Sequence, residues 1–102
     1  KWLESQIKRD TRFFISTMSI VELLSFPGSS LKETFLIERI LRSTMVIDVD
    51  LSHAREAARL RSTYKLKAID AVIGATATIL DIPLASRVKI FTKVKDIKLI
   101  SI

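Results

Sequence analysis

The sequence contains no cysteine, and it has a single histidine, His53, among its 102 residues. The absence of cysteine excludes disulfide bonds and thiolate metal sites. One histidine cannot supply the several imidazole ligands of a histidine-rich zinc site. Any metal site in this chain would therefore rest on oxygen ligands, a donor set that suits Mg²⁺ or Mn²⁺.

Long uncharged stretches are also missing. No run reaches the length of a membrane span, and no secretory signal is visible, so we expect a cytoplasmic protein with no membrane partner. The length predicts a single domain over residues 1–102, and 48% hydrophobic residues are enough to form a core. Because the chain opens at Lys1 without an initiator methionine, we expect the natural chain to extend upstream.

The charge is strongly unbalanced toward basic residues. Lysine and arginine number 17 against 11 acidic residues, which gives a net charge of +6. This excess favours a polyanionic partner such as nucleic acid, or an acidic protein. An ordinary basic surface without a dedicated partner is the alternative interpretation.

Short apolar stretches rich in β-branched residues alternate with segments of helical periodicity. Strands are predicted at 12–16, 45–49, 82–86 and 97–102. Helices are predicted over residues 1–9, from the caps at 16–19 through Phe26, from Ser30 to about Ser43, from Ser52, and in the segment headed by Asp70. Strands that alternate with helices form a mainly parallel sheet covered on both faces, so the pattern predicts a three-layer α/β/α sandwich. Ligands of such sheets bind beyond the carboxyl ends of the strands.

Two acids occupy unusual positions in this pattern. Asp70 opens a stretch that carries no charge as far as Leu80, which is typical of a buried helix. A carboxylate held beside a core must cap, pair or bind a cation. Glu22 has a similar apolar setting. Two such acids in a basic chain indicate a metal-dependent site for a phosphate-bearing substrate.

Purely structural roles are the competing interpretation of both acids. Ser19-x-x-Glu22 matches a capping box, and Asp70 at a helix start would favour the positive end of the helix dipole. Farther along the chain, Ser52 is predicted to cap a helix. His53, in the first turn of that helix, is expected to be exposed.

Four segments, in this order, resemble motifs of the PIN domain family. They are Ile15–Leu24 with its acid at Glu22, Lys67–Ala77 with Asp70 followed by small residues, Ile82–Arg87 ahead of the last acidic position, and Phe91 with Lys95–Ile100 in the closing segment. The resemblance covers essentially the whole chain. Its single-domain size is most like a VapC-type toxin of a toxin–antitoxin pair.

The resemblance implies a metal-dependent endoribonuclease that hydrolyses RNA phosphodiester bonds with Mg²⁺ or Mn²⁺ and three or four acids. Glu22 and Asp70 would be two of these catalytic metal ligands. It also implies an RNA substrate, a cognate antitoxin and a homodimer. Other polar residues are secondary candidates: Thr17 and Ser86 for hydrogen bonds to a ligand carboxylate or substrate, and Arg87 and Lys89 for RNA phosphates. Helix capping, strand-end solvation and a solvated basic surface are the alternatives for these four residues.

Two departures from the family pattern limit this expectation. The family's first acid lies on a central N-terminal strand, and that strand is missing from this chain. Val88 stands where the last acid or asparagine is expected after Arg87. We therefore expect the complete protein to be the enzyme and this chain alone to be inactive.

A non-catalytic PIN-like module that binds RNA or protein is the competing hypothesis, and a basic α/β domain of different descent is a third. Two phenylalanines are core candidates or part of an antitoxin or dimer groove: Phe26 and Phe35.

Overall fold

The computed structural model describes residues 5, 9, 12–25 and 30–102, and the chain divides into two compact units, Lys1–Asp48 and Val49–Ile102. The described residues of each unit contain one pair of parallel strands, so the predicted α/β class with parallel pairing is confirmed. Phe26 and most of the predicted helix at 1–9 lie outside the described residues. Within the described part of the chain, no helix is long and apolar enough to cross a membrane.

The first unit pairs two short strands and carries two helices between them in the chain. Its elements are β1 (Phe14–Ser16), α1 (Thr17–Ser25), α2 (Leu31–Arg42) and β2 (Met45–Ile47). In the parallel register, Phe14 lies opposite Met45 and Ser16 opposite Ile47. Aromatic and β-branched residues favour this extended pairing, and the predicted strand at 45–49 is two residues shorter in the structure.

The start of α1 differs from the prediction. The Ser16 Oγ accepts a hydrogen bond from the Met18 amide at 3.1 Å, which satisfies a backbone donor of the first turn. The helix therefore begins at Thr17, and Ser19 lies inside it. The predicted capping box of Ser19 and Glu22 is wrong, because an earlier serine takes the capping role.

The second unit consists of two long helices followed by a parallel strand pair. Its elements are α3 (Leu51–Tyr64), α4 (Ala68–Leu80), β3 (Leu84–Ser86), a 3₁₀ helix (Lys89–Lys93) and β4 (Leu99–Ser101). β3 and β4 pair in parallel with Leu84 opposite Leu99. The 3₁₀ helix has no counterpart among the predicted elements, since its five residues are too few to show a helical period.

The N-terminus of α3 corrects two further predictions. Asp50, rather than Ser52, is the N-cap, and its Oδ1 accepts from the His53 amide at 3.0 Å. The Ser52 Oγ donates to the same Oδ1 at 2.8 Å. His53 is only 6% exposed, so the expectation of a surface histidine is wrong. Its ring turns back to Asp50 and is covered by the fold, which the sequence position alone does not reveal.

Small residues on α3 and α4 let the core of the second unit close tightly. The buried cluster comprises Ala57, Leu60, Leu66, Ala71, Ala75, Phe91, Val94 and Ile97. Leu60 and Phe91 are the largest fully buried side chains. A Cβ placed on Gly74 would stand 2.9 Å from the Ile97 Cδ1, so the absence of a side chain permits this close approach. The cluster holds α4, and with it Asp70, against the rest of the unit.

Candidate metal centre

Asp70 lies in the first turn of α4, where the sequence predicted it. The helix begins after Lys67, which is extended and provides no side-chain cap. Asp70 is half-buried, and the next residue, Ala71, is 1% exposed. Among the described residues, no hydrogen bond or ion pair to the Asp70 carboxylate is present. A half-buried carboxylate without a protein partner keeps its oxygens available for water or a cation.

Glu22 lies in the first unit, in the second turn of α1, and is exposed. Because Ser16 caps this helix, Glu22 has no capping role with Ser19. Its carboxylate makes no hydrogen bond or ion pair with any residue that the structure describes. Glu22 belongs to the first unit and Asp70 to the second, so each acid is placed by its own helix.

A serine ends the first described strand of each unit. Ser16 closes β1, and Ser86 closes β3, where its Oγ accepts from the Val88 amide at 3.0 Å. In each unit, the serine Oγ accepts a hydrogen bond from the amide two residues later in the chain. The hydroxyl proton of each serine can still be donated to another group. Thr17 follows Ser16 directly as the first residue of α1 and is half-buried.

Arg87 and Lys89 follow β3 and are both exposed. Lys89 opens the 3₁₀ helix, and Lys93 closes it. In the described part of the chain, neither Arg87 nor Lys89 forms a salt bridge. Exposed, unpaired cations attract phosphate groups through a field that salt screens.

Other acids of the second unit are engaged in holding the fold. Arg59 donates to Glu56 at 2.8 Å and also to Asp96, which accepts a hydrogen bond from the Tyr64 hydroxyl at 2.9 Å. The Arg59 guanidinium, and then the Tyr64 hydroxyl, hold the pKa of Asp96 below its ordinary value. The hydrogen bond from Arg59 likewise lowers the pKa of Glu56, to which Thr78 also donates. Asp96 in turn raises the pKa of Tyr64.

Asp50 and His53 form a pair that the sequence interpretation missed. The hydrogen bond from the His53 side chain is the largest cause of the lowered pKa of Asp50, so Asp50 is ionised at neutral pH. An ionised carboxylate only accepts, which places a proton on the His53 Nδ1, 2.8 Å away. The buried Nε2 has no partner within the described structure. The spacing Asp-x-x-His at a helix start was the available sequence signal.

The donor chemistry suits a hard divalent cation, but protein ligands are few. Carboxylate oxygens are the ligands that Mg²⁺ and Mn²⁺ take in proteins. In residues 12–25 and 30–102, no group of three or more histidine, cysteine or acidic side chains is arranged to hold a metal ion. Mg²⁺ commonly binds through one or two carboxylates and completes its shell with water and phosphate oxygens. Glu22 in the first unit and Asp70 in the second unit are each a carboxylate of the type that such an ion takes.

Comparisons with known proteins agree with the fold. The PIN domain family model matches residues 1–97. No curated protein matches the sequence.

Solved structures of toxin–antitoxin complexes are similar to this chain. VapBC2 from Rickettsia felis, bound to a DNA fragment from their promoter, has a TM-score of 0.77 at 18% identity, covering 97% of this chain and 80% of that one. DNA-bound VapBC from Salmonella typhimurium gives 0.79 at 18% identity, with coverages of 96% and 81%. FitAcB from Neisseria gonorrhoeae gives 0.69 at 25% identity, with coverages of 96% and 79%. These likenesses confirm the predicted VapC-type fold, and the family match extends over nearly all of the sequence. The chain belongs to the PIN domain family.

Proposed function

We propose that the protein is a metal-dependent endoribonuclease and the toxin of a type II toxin–antitoxin pair. The observation that carries this proposal is Asp70, a half-buried carboxylate with no partner among the described residues on an otherwise apolar helix. Membership of the PIN domain family supports the ribonuclease class, and similarity to proteins solved as toxin–antitoxin complexes supports the toxin role. The net charge of +6 favours RNA as substrate.

Glu22 and Asp70 are the proposed ligands of the divalent ion. The capping role that competed for Glu22 is taken by Ser16, which leaves the glutamate without a structural task among the described residues. The position of Asp70 in a first helical turn is compatible with metal binding, because a carboxylate there can accept water or a cation while it lies at the end of the helix that favours acidic residues. When bound, Mg²⁺ or Mn²⁺ activates water and stabilises charge on the phosphate oxygens.

The remaining candidates act on the substrate. Arg87 and Lys89 are exposed and without salt-bridge partners in the described structure, so they are suited to attract the RNA backbone. Ser86 accepts from the Val88 amide and keeps its hydroxyl proton for a phosphate oxygen or a ligand carboxylate. Thr17, at the start of α1, is assigned the same kind of contact in the first unit.

The antitoxin is proposed to cover apolar side chains on the two helices of the first unit. On α1, Val21 and Leu24 are 56% and 50% exposed, and on α2, Leu31 and Phe35 are 91% and 61% exposed. The core interpretation of Phe35 is wrong, since most of its side chain faces outward. Exposed aliphatic and aromatic side chains at this density are typical of a protein-binding surface. The homodimer stays a prediction.

A non-catalytic PIN-like module is the second candidate. Val88 supplies no oxygen ligand, and no cluster of three acids is present in the described residues. Such a module would bind RNA or protein through the same basic and apolar surfaces without cutting a phosphodiester bond.

Cleavage of RNA by the full-length protein separates the two candidates. We expect metal-dependent cleavage with Mg²⁺ or Mn²⁺, and loss of about 100-fold or more in rate for both D70N and E22Q, since several kcal/mol of charge stabilisation are removed. D81N is the matched control, because Asp81 is exposed and pairs with Lys98 at 3.1 Å, and we expect it to retain the wild-type rate. Undiminished cleavage by D70N would remove the ligand assignment. Wild-type protein that binds RNA but cleaves none would favour the module.

A further inference from the structure

Most of the positive charge of the chain lies in the second unit. Residues 49–102, all of which the structure describes, hold 10 lysines and arginines against five acids, and therefore +5 of the net charge of +6. Of these ten cations, only Arg59 and Lys98 form ion pairs within the unit. The other eight are exposed, so they remain available to an anionic partner.

Two short segments of this unit share one pattern, a buried apolar residue between two exposed lysines. In the first segment, Lys65–Lys67, the central Leu66 is 3% exposed. In the second segment, Lys93–Lys95, the central Val94 is 2% exposed. Leu66 and Val94 belong to the same buried cluster. The core therefore fixes the backbone of both segments and leaves their lysine side chains in solvent.

A hydrogen bond ties the two segments to each other. Tyr64 directly precedes the first segment and Asp96 directly follows the second, and the Tyr64 hydroxyl donates to Asp96 at 2.9 Å. Asp96 also accepts from Arg59. The acid that adjoins the lysines in sequence is thus occupied by other partners, and no described acid forms a salt bridge with the lysines.

Lys65 occupies a strained backbone position. It is the C-cap of α3 and lies in the left-handed region, with φ 59° and ψ 40°. Glycine is the usual residue at such a helix end, because a Cβ is disfavoured in this conformation. Strain of this kind in a residue other than glycine is a pointer to function. The exposed Lys65 side chain has no salt bridge in the described structure that would give it a role in the fold.

We propose that the lysines of both segments form a four-lysine surface that binds the phosphate backbone of RNA away from the cleaved bond: Lys65, Lys67, Lys93 and Lys95. The inference rests on the proposed function for RNA as the ligand. Lysine is depleted in protein–protein interfaces, whereas its ammonium group binds phosphates without reading the bases. Lys67 lies three residues before Asp70, so RNA held on this surface is led toward that carboxylate. The surface adds affinity for RNA but no sequence preference.

Binding of a short single-stranded RNA of mixed sequence tests the surface. The full-length protein is titrated against fluorescein-labelled RNA in EDTA, which prevents metal-dependent cleavage, and anisotropy gives the dissociation constant at several salt concentrations. We expect the combined variant K65Q, K67Q, K93Q and K95Q to bind at least about tenfold more weakly than wild type. The slope of log K against log salt should become shallower by about 0.7 for each lysine that contacts a phosphate.

K65G separates binding from folding. Glycine relieves the left-handed strain at position 65, so the urea midpoint should not fall, whereas the affinity for RNA should fall by about threefold. K98Q is the matched control, because it removes one cation of the same unit that Asp81 already pairs. We expect its affinity for RNA to stay within about twofold of wild type.

Three results would overturn the proposal. They are wild-type RNA affinity and salt slope in the combined variant, an equal loss of affinity in K98Q and K65G, and a loss of antitoxin binding by the combined variant while RNA binding is unchanged. Cleavage is measured separately. Lysine-dependent RNA binding by a protein that cuts no RNA upholds this surface and removes the ribonuclease, and metal-dependent cleavage with lysine-independent binding does the reverse.

Discussion

Replacement of Gly74 by alanine tests how closely the second unit is packed around α4. A Cβ at this position would lie 2.9 Å from the Ile97 Cδ1, closer than the 3.4 Å at which ordinary contact begins. The same Cβ would lie 3.6 Å from atoms of Leu60 and Phe91, which is ordinary contact. The steric problem therefore comes from one methyl group at the end of one flexible side chain.

Two opposing energies decide the outcome of G74A. Alanine is favoured over glycine inside a helix by about 1 kcal/mol. Overpacking in a core costs about 1–3 kcal/mol, and the lower end applies because the Ile97 Cδ1 can move aside. We expect the free energy of unfolding of G74A to lie within about 1 kcal/mol of wild type, as a near cancellation of a gain and a cost.

A double-mutant cycle exposes the hidden steric cost. I97V removes the Cδ1 and in the wild-type background should cost about 0.5–1.5 kcal/mol. In the G74A background the same deletion also relieves the close contact, so its cost should fall by about 1 kcal/mol. Urea unfolding of the four proteins, compared at equal m-values, measures this coupling.

Ile90 provides the control for this cycle. It is packed against the same core but is not among the three side chains nearest to Gly74. I90V should therefore cost the same in both backgrounds. If I97V also costs the same in both, within the roughly 0.3–0.5 kcal/mol by which independent sites add, the close approach at Gly74 does not exist in solution.

Two further predictions concern the pH dependence of stability and the antitoxin surface. Folding lowers the pKa values of Glu56 and Asp96 from their ordinary 4.5 and 3.8. Their contribution to stability is therefore present above those values and is lost as the pH falls through the lower pKa values of the folded state. We expect the urea concentration at half unfolding to decrease as the pH falls below about 5. R59Q should flatten this drop whereas K98Q should not, and an unchanged slope in R59Q would contradict the assigned cause. For the antitoxin surface, V21D and F35D should each weaken binding of the co-expressed cognate antitoxin about tenfold or more, measured by calorimetry, because a charge replaces an apolar contact. K32D, an exposed change on the same helix as Phe35, should bind normally; antitoxin binding by both apolar-site variants at wild-type strength would place the interface elsewhere.

The order of strands and helices was predictable because it depends on local patterns. Apolar β-branched stretches such as Phe14–Ser16 and Met45–Ile47 pair as strands, and the uncharged stretch after Asp70 forms a helix. Helix starts were less predictable, since several capping residues stand close together in the chain. Ser16 prevails over Ser19 because the helix begins as soon as a strand-end serine can satisfy its first amides.

For the acids too, what depends on neighbouring residues in the sequence was predictable, and what depends on residues far away in the sequence was not. The position of Asp70 in a first helical turn follows from its neighbours in sequence. The roles of the other acids do not, because their partners are remote: Asp96 meets Arg59, 37 residues away, and Glu56 meets Thr78, 22 residues away. No periodicity or short motif encodes these pairings, which arise only when α3, α4 and the closing segment pack together.

The basic excess of the chain makes the isolation of Asp70 informative. With 17 cationic side chains against 11 acids, an unpaired carboxylate is not explained by a shortage of cations. Lys67 stands three residues before Asp70 at the helix start and is exposed, yet no salt bridge joins them. Pairing would occupy the oxygens that a metal ion needs, and it would lower the free energy of a half-buried charge. The other four acids of this unit have partners, whereas Asp70 has none among the described residues, which leaves the folded state slightly less stable than a paired Asp70 would make it. A bound cation at Asp70 would offset this loss of stability.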